Sequence, residues 1–238
     1  MDILKFLSLN INIMIKIGMI LFDGMTQLDL TGPLEVFTRF PDTTVYLVSK
    51  TSEPVRCDRG LRILPDTTFA DCPANLTVLF VPGGPGVSGV LADEAYLTFI
   101  RSNGEANYIT SVCTGSLILA ACGLLTGFRA TTHWLSLNFL ERFNVVPENA
   151  RVVIDRNRIT GAGVTSGIDF ALTLGSELFD ESVAKEIQLM IEYNPKPPFT
   201  CGHPDLAPPS LVKKVVEQRA TAQQKRLEQI DKFVSSLS

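Results

Sequence analysis

Continuous apolar runs alternate along the chain with segments in which apolar residues recur at helical spacing. The runs predict strands at Ile15–Phe22, Thr44–Ser49, Asn75–Val81, Ala106–Val112 and Ala130–Thr132, and a hairpin at Val152–Ile154 and Arg158–Thr160. Helices are predicted at Pro33–Phe40, Glu94–Gly104, Ser116–Leu125, Trp134–Phe143, Val164–Leu178, Glu181–Glu192 and Leu211–Val234. Strands that are apolar throughout and separated by helices predict a parallel sheet covered on both faces. Its ligands should lie at the carboxyl ends of the strands.

Two changes in composition suggest the domain organisation. Residues 1–13 form an N-terminal extension in which Asn10 and Asn12 interrupt the apolar run, and Met14 is a candidate start. Residues 14–195 are predicted to form one domain. Residues 196–238 combine a strap, part of a six-proline segment over 194–209, with an amphipathic helix. That helix could pack on its own domain or on a second subunit.

Composition narrows the class of function. The chain has 238 residues, is 45% apolar and has a net charge of −4 without a Lys/Arg cluster, so we expect no nucleic-acid partner. Five cysteines at irregular spacing argue against a disulfide framework and for a reducing cytoplasm. Two separated histidines are too few for a zinc site, and no apolar run is long enough to span a membrane.

The segment Ser111–Ser116 places Cys113 where a strand turns directly into a helix. Small residues, Ser111 and Gly115, stand two positions on either side, which is the spacing of a nucleophile elbow. The helix dipole is expected to lower the pKa of the thiol and favour the thiolate. The alternative is an inert buried thiol, but the elbow spacing favours a nucleophile. The other cysteines lack this setting and are assigned no role.

Two further strand ends converge on the elbow. Gly83 and Gly84 follow the third strand, and their N–H groups could stabilise an anion, although a plain turn is the alternative. Asp29 follows the first strand between two leucines. Burial should raise the pKa of its carboxyl, which suits a general acid or base. Its alternative role is helix capping, for which Thr31 and Gly32 stand closer to Pro33.

Five motifs together resemble the ThiJ/PfpI superfamily, and within it most closely the isocyanide hydratases. They are Leu28–Pro33, Val81–Gly84, Ser111–Ser116, Arg129–Trp134 and Thr165–Asp169. The similarity spans about residues 15–209. Thr114 stands where protease-like members have a histidine, which disfavours a Cys-His peptidase. Asp29 stands where many other members have glutamate, in agreement with the hydratase pattern.

The resemblance implies a single-domain, flavodoxin-like sandwich of the class I glutamine amidotransferase type. It further implies hydration of organic isocyanides to N-substituted formamides without metal or organic cofactor. Cys113 would attack the isocyanide carbon, Asp29 would transfer protons, and Thr114 would position a proton or hold the thiolate. The residues expected to contact the substrate are Gly83, Gly84, Val164 and Thr165. His133 would support these residues without contacting the substrate, or would have only a structural role.

Two other classes of function remain open. A ligand- or redox-sensing thiol domain would also need a reactive cysteine. Another cysteine-dependent hydrolase or glyoxalase of the same superfamily is the second alternative. The expected partners are a small molecule and water, with no membrane. We also expect a homodimer, because the apolar stripe of the C-terminal helix would bury little on its own domain.

Overall fold

Strands and helices alternate in the computed structural model, which describes residues 14–236. The strands are β1 Ile15–Ile20, β2 Thr43–Ser49, β3 Val55–Arg56, β4 Arg62–Ile63, β5 Thr67–Thr68, β6 Val78–Val81, β7 Tyr108–Val112, β8 Arg129–Ala130, β9 Val146–Pro147, β10 Val152–Asp155 and β11 Arg158–Gly161. The helices are α1 Gln27–Phe37, α2 Val87–Leu91, α3 Glu94–Ser102, α4 Gly115–Ala121, α5 Ser166–Leu178, α6 Glu181–Met190 and α7 Pro209–Ser235. The predicted N-terminal extension, residues 1–13, lies outside the described residues.

Within the described residues, the main sheet has seven strands in the order β10-β11-β7-β6-β1-β2-β5. Every pairing is parallel except the β10–β11 hairpin. The predicted α/β class and parallel sheet are confirmed. The central strands are mostly apolar because helices cover the sheet: α1 packs with α5, α5 packs with α6, and α2 packs with α3 and α4. Phe37, Phe80 and Phe170 join α1, β6 and α5 in one aromatic cluster.

Helix α1 departs most from its predicted form. It begins at Gln27, six residues before the predicted start, and Pro33 lies inside it. The prediction that Thr31 and Gly32 cap the helix is therefore wrong. Gly32 lacks the Cβ that would clash with the proline ring, so the helix can continue. Pro33 also packs at the crossing with α5, where a Cβ on Gly167 would lie 3.0 Å from Pro33 Cδ.

The other differences between the predicted and the observed elements are confined to short segments. The two-residue strands β3, β4 and β5 and the five-residue helix α2 carry no periodicity that a sequence pattern can reveal. The predicted helix Trp134–Phe143 has the right bounds but is a 3-10 helix. Helix α5 begins at Ser166 rather than at Val164, so Val164 and Thr165 belong to the preceding turn.

The C-terminal helix α7 docks on its own domain. Ile230 is fully buried, the Phe233 ring lies 6.4 Å from the Phe143 ring, and Asp231 pairs with Arg142. The expectation that its apolar stripe would bury little on this domain is therefore wrong for the second half of the helix. Leu211 and Val216, in the first half, remain exposed. None of the helices within residues 14–236 combines the length and the apolar character that spanning a bilayer requires.

Candidate active site

Four neighbouring strands deliver the candidate site residues to one edge of the sheet. Asp29 follows β1, Gly83 follows β6, Cys113 follows β7 and Gly163 follows β11. These strands are adjacent in the order β11-β7-β6-β1, so their carboxyl ends bring the residues together. The structure thus joins Cys113, Asp29, Thr114, Gly83 and Gly84.

Cys113 forms a sharp turn between β7 and α4. Its φ is +52°, a left-handed conformation that is uncommon for a residue with a side chain. The backbone is held there, because the Cys113 N–H donates to the Gly161 carbonyl at 2.9 Å. Its carbonyl accepts from Thr132 Oγ1 at 2.8 Å and from Ser116 Oγ at 3.1 Å. The predicted elbow geometry is present.

Glycines let three backbone segments close around the nucleophile. A Cβ on Gly83 would lie 2.8 Å from Cys113 Cβ, and one on Gly115 would lie 2.6 Å from the Pro82 carbonyl oxygen. A Cβ on Gly163 would lie 3.1 Å from Cys113 Sγ. No larger residue fits at these positions without moving the backbone.

Asp29 lies in the first turn of α1 with its side chain fully buried. Its Oδ2 accepts the Gly83 N–H at 3.2 Å, whereas Oδ1 has no hydrogen-bond partner among the described residues. Burial raises the pKa of Asp29 to about 7, and the nearby Asp58 adds to that rise. The Cys113 thiol and the Gly83 N–H act in the opposite direction. An acid of this strength can accept and return a proton near neutral pH.

The Cys113 thiol does not behave as the helix dipole predicts. Burial raises the pKa of the thiol well above its usual value, and the Asp29 carboxylate raises it further. The N–H and the hydroxyl of Thr114 favour the thiolate but do not outweigh these effects. The predicted lowering of the thiol pKa is therefore wrong. At neutral pH the thiol keeps its proton, and Asp29 is the acceptor beside it.

Thr114 is hydrogen-bonded to the loop that contains Gly83 and Gly84. The Gly84 N–H donates to Thr114 Oγ1 at 2.9 Å, and Thr114 Oγ1 lies 3.3 Å from the Gly84 carbonyl oxygen. The Gly83 N–H is already given to Asp29. The expectation that these two N–H groups are free to stabilise an anion is thus not met. The loop instead orients Asp29 and Thr114.

A cavity of about 890 Å³ is lined by Gly163, which lies against Cys113, whereas Cys113 itself does not line it. Cys113 is 5% exposed beneath this segment. Val164 and Thr165 line the cavity as expected, whereas Gly83 and Gly84 do not. Its other apolar lining, which no local sequence pattern indicated, includes Leu28, Trp134, Ile168, Phe199 and Leu206. The proline-rich strap supplies the last two.

A polar network lines one side of the cavity. Arg151 Nε donates to Asp169 Oδ2 at 2.8 Å, and the Tyr193 hydroxyl donates to the same oxygen at 2.9 Å. Arg151 also reaches Thr165 Oγ1 at 3.4 Å. Asp169 belongs to a motif singled out in the sequence, but nothing in that motif indicated its partners. The network connects α5, the hairpin and the segment after α6.

His133 lies at the start of the 3-10 helix, where its Nδ1 accepts the Leu135 N–H at 3.3 Å. Burial lowers the pKa of His133 to about 4, and Arg226 and Arg219 lower it further. Among the described residues, neither His133 nor His203 hydrogen-bonds to the Cys113 thiol. His133 is therefore a neutral capping residue that faces α7, while His203 lines the cavity.

Arg226 of α7 is a neighbour of the site that the sequence analysis missed. Its Nη2 donates to the Gly84 carbonyl at 3.3 Å, and its Nη1 lies 3.3 Å from Ser136 Oγ. Gln223, Arg226 and Ile230 share one face of α7, so helical spacing could have shown that this arginine points inward. Its approach to the elbow depends on how α7 docks.

Comparisons of the sequence and of the structure with known proteins point to the same family. A sequence model of the DJ-1/PfpI family matches residues 15–177. An isonitrile hydratase from Pseudomonas putida is 47% identical over 225 residues, covering 94% of this chain and 98% of that protein. The crystal structure of a ThiJ/PfpI family protein from Pseudomonas syringae is 45% identical, with a TM-score of 0.87 over 92% of this chain and 90% of that one. Drosophila melanogaster DJ-1beta is 25% identical, with a TM-score of 0.67 over 75% of this chain and 97% of that one.

Proposed function

The chain belongs to the DJ-1/PfpI family, and from that premise we propose that it hydrates organic isocyanides to N-substituted formamides. Isonitrile is another word for isocyanide, so the relative at 47% identity is named for this reaction. The observation that carries the proposal is the pairing of Cys113, on its elbow, with the buried Asp29. The adjacent apolar cavity is suited to the organic group of the substrate.

The first step joins the thiol to the isocyanide. Cys113 Sγ attacks the terminal carbon as its proton passes to the Asp29 carboxylate, so the sulfur reacts as a thiolate without a preformed free anion. Asp29 then gives that proton to the same carbon, and the product is a thioimidate, R–N=CH–S–Cys113. Asp29 ends this step in the ionised form in which it began.

The second step uses water. Asp29 takes a proton from a water molecule as the water oxygen adds to the thioimidate carbon, and it gives this proton to the nitrogen. The resulting tetrahedral adduct is R–NH–CH(OH)–S–Cys113. Its hydroxyl proton passes through Asp29 to the sulfur as the carbon–sulfur bond breaks, which releases R–NH–CHO and restores the thiol. The sum is one isocyanide and one water converted to one formamide. The cycle is redox-neutral and uses no metal or organic cofactor.

The remaining residues orient these groups. Thr114 contributes its N–H and hydroxyl to the thiolate form of Cys113, and Gly83 fixes the Asp29 carboxylate through its N–H. Val164 and Thr165 line the cavity next to Gly163, whose backbone lies against the nucleophile. An isocyano group is linear and narrow, which suits a thiol covered by backbone on several sides.

Burial of the Cys113 thiol distinguishes an enzyme from a redox-sensing thiol domain. Oxidation-sensing cysteines are exposed and have a lowered pKa, whereas Cys113 is buried with a raised pKa. This favours an enzyme that generates the nucleophile only when a substrate is present. A free thiol is required throughout the cycle, which accords with a reducing cytoplasm.

The test is turnover of a cyclohexyl and an aryl isocyanide, with the formamide identified by mass spectrometry. The wild-type protein is expected to form one formamide for each isocyanide consumed. Cys113→Ala is expected to form none, while Cys201→Ala, at an exposed cysteine, should retain wild-type turnover. Formamide production by Cys113→Ala, or none by the wild type with either substrate, would overturn the proposal.

A further inference from the structure

Arg226 is a partly buried cation that the proposed cycle does not use. Among residues 14–236 no carboxylate forms an ion pair with it. Its hydrogen-bond partners are uncharged: the Gly84 carbonyl, Ser136 Oγ and Gln223 Oε1, each at 3.3 Å. Its Nε is buried without a partner among these residues. Burying a cation in this way costs stability, so a purely structural role is a poor explanation.

The Gly84 peptide connects Arg226 to the nucleophile. Arg226 binds its carbonyl oxygen, and the N–H of the same residue binds Thr114 Oγ1 at 2.9 Å. Gly84 has a φ of +141°, and an added Cβ would lie 2.5 Å from the Thr26 nitrogen. The loop is therefore closely packed on its other side. A contact that holds the Gly84 carbonyl also holds Thr114 beside Cys113 and the neighbouring Gly83 N–H on Asp29.

The charged groups on the two sides of the Cys113–Asp29 pair have opposite signs. On the side of α1, Cys113 faces Asp29, and Asp58 lies beyond it. On the side of α7, burial lowers the pKa of the Arg226 guanidinium, and the Cys113 thiolate opposes that shift, with Arg219 and the neutral His133 beside the guanidinium. The pair carries one negative charge whenever Asp29 is ionised. Arg226 is the cation on the α7 side of this charge, and its hydrogen bond to the Gly84 carbonyl connects it to the pair.

We propose that Arg226 is a positioning residue for the reaction: it fixes the Gly84 peptide, and thereby Thr114 and Asp29, around Cys113 and favours the ionised form of the pair. The C-terminal helix is then part of the active site rather than only a structural element. Ile230 and Phe233 already anchor α7 on the domain, so the helix does not need a buried arginine to dock.

The experiment compares Arg226→Met and Arg226→Lys with Arg219→Met. Arg219 lies on the same helix, two turns away, so its replacement removes the same charge from an exposed position. Two properties are measured: steady-state hydration across pH, and the pH dependence of iodoacetamide labelling read on the Cys113 peptide by mass spectrometry. Circular dichroism melts of all variants monitor folding.

Arg226→Met is expected to lower kcat roughly tenfold or more with little change in KM, since positioning acts on the reacting groups. The rising limb of its pH profile and its labelling curve should move up by about one pH unit, because a stabilising cation is lost. Arg226→Lys should restore the pH position but only part of kcat, because lysine keeps the charge without the two-pronged geometry. Arg219→Met should match the wild type in kcat and in the pH dependence of turnover and labelling.

Wild-type kcat and labelling in Arg226→Met, or the same losses in Arg219→Met, would contradict the proposal. If Arg226→Met does not fold, Arg226→Lys decides: a lysine variant with wild-type kcat contradicts the role of the two-pronged contact. The turnover measurement rests on the proposed function, whereas the labelling measurement does not. Absence of hydration by the wild type would therefore count against the function, and an unchanged labelling curve against Arg226.

Discussion

At the residue scale, the central feature is a competition between burial and local dipoles at Cys113. The start of a helix stabilises a nearby thiolate by roughly 0.3–1 kcal/mol at exposed positions, whereas removing a charge from water costs several kcal/mol. Burial prevails here, and it raises the pKa values of both Cys113 and Asp29. The two groups therefore hold a proton between them near neutral pH and can pass it to a substrate.

Asp29→Asn is the most informative single change at this scale. It should lower kcat by ~10²–10⁴, the usual contribution of a general acid or base. Burial raises the pKa of Asp29 from 3.8 to about 7, so the folded state keeps a proton that the unfolded state releases. Wild-type stability should therefore fall as pH rises between these values, whereas the asparagine variant has no such loss.

Urea unfolding at several pH values checks this prediction. Asp29→Asn should be the more stable protein above pH ~7, by on the order of a few kcal/mol, and the difference should vanish below pH ~4. Asp42→Asn, at an exposed carboxylate, is the matched control and should leave both activity and stability unchanged. Equal stability of Asp29→Asn and wild type across the range would show that ionised Asp29 is not costly to bury.

The sequence predicted Cys113 and Asp29 because an elbow and an acid between leucines are local patterns. It could not predict the direction of the thiol pKa, because that depends first on the burial of the thiol and then on Asp29, which is 84 positions away in the chain. Both follow from the way the strands are assembled into the sheet. Arg226 was missed for the same reason. Its role depends on the docking of α7, and no pattern around residue 226 specifies what α7 docks on.

At the scale of elements, the site depends on the turns that follow β6, β7 and β11. The segment between β11 and α5 lines the cavity, and it is close enough to the thiol that only glycine fits at position 163. The sequence predicted α5 to begin at Val164. Its later start at Ser166 leaves Val164 and Thr165 as a turn at the cavity wall, a boundary error of two residues with a functional consequence.

Gly163→Ala tests this arrangement. The new methyl group would lie 3.1 Å from Cys113 Sγ at a φ of +91°, so we expect it to obstruct the approach of the isocyanide and lower kcat/KM at least tenfold. Gly60→Ala is a matched control, because Gly60 has a φ of +93° but nothing within 4 Å of the added Cβ. It introduces the same backbone strain without the contact. Equal activity of the two variants would contradict the importance of the Gly163 contact.

Helix α1 shows how tertiary packing overrides a local rule. Proline favours the first turn of a helix, so the sequence predicted a start near Pro33. The structure begins the helix at Gln27 and carries it through Pro33, because Gly32 removes the steric clash and α5 packs against the proline. Asp29 is consequently held by the first turn of a regular helix rather than by a loop.

At the scale of the whole molecule, α7 connects the C-terminus to the catalytic edge of the sheet. Its second half buries Ile230, while its first half leaves Leu211 and Val216 exposed. The predicted parallel sheet was confirmed because continuous apolar runs are a strong signal, but the docking of α7 is a long-range property. The second half of α7 packs on its own domain, whereas packing on a second subunit remains a prediction for the exposed first half.

Homodimer formation remains a prediction, and the exposed half of α7 is the surface we propose for it. Light scattering of the full chain is expected to give twice the subunit mass of 26.0 kDa. Val216→Asp should yield the monomer at low micromolar concentration, because it places a charge at the centre of an apolar contact. Lys214→Asp, on an exposed neighbouring position, is the control. A monomeric wild type, or a dimeric Val216→Asp, would contradict this assignment.

The most direct test of the account is the mass of the protein during turnover. Acid quenching within the first turnovers, followed by intact-mass analysis and peptide mapping, should reveal a species heavier by the full mass of the isocyanide. The added mass should lie on the peptide that contains Cys113 and should decay as formamide appears, because the thioimidate retains every atom of the substrate. Formamide production with no adduct, or with an adduct only on Cys57, Cys72, Cys122 or Cys201, would contradict covalent catalysis by Cys113.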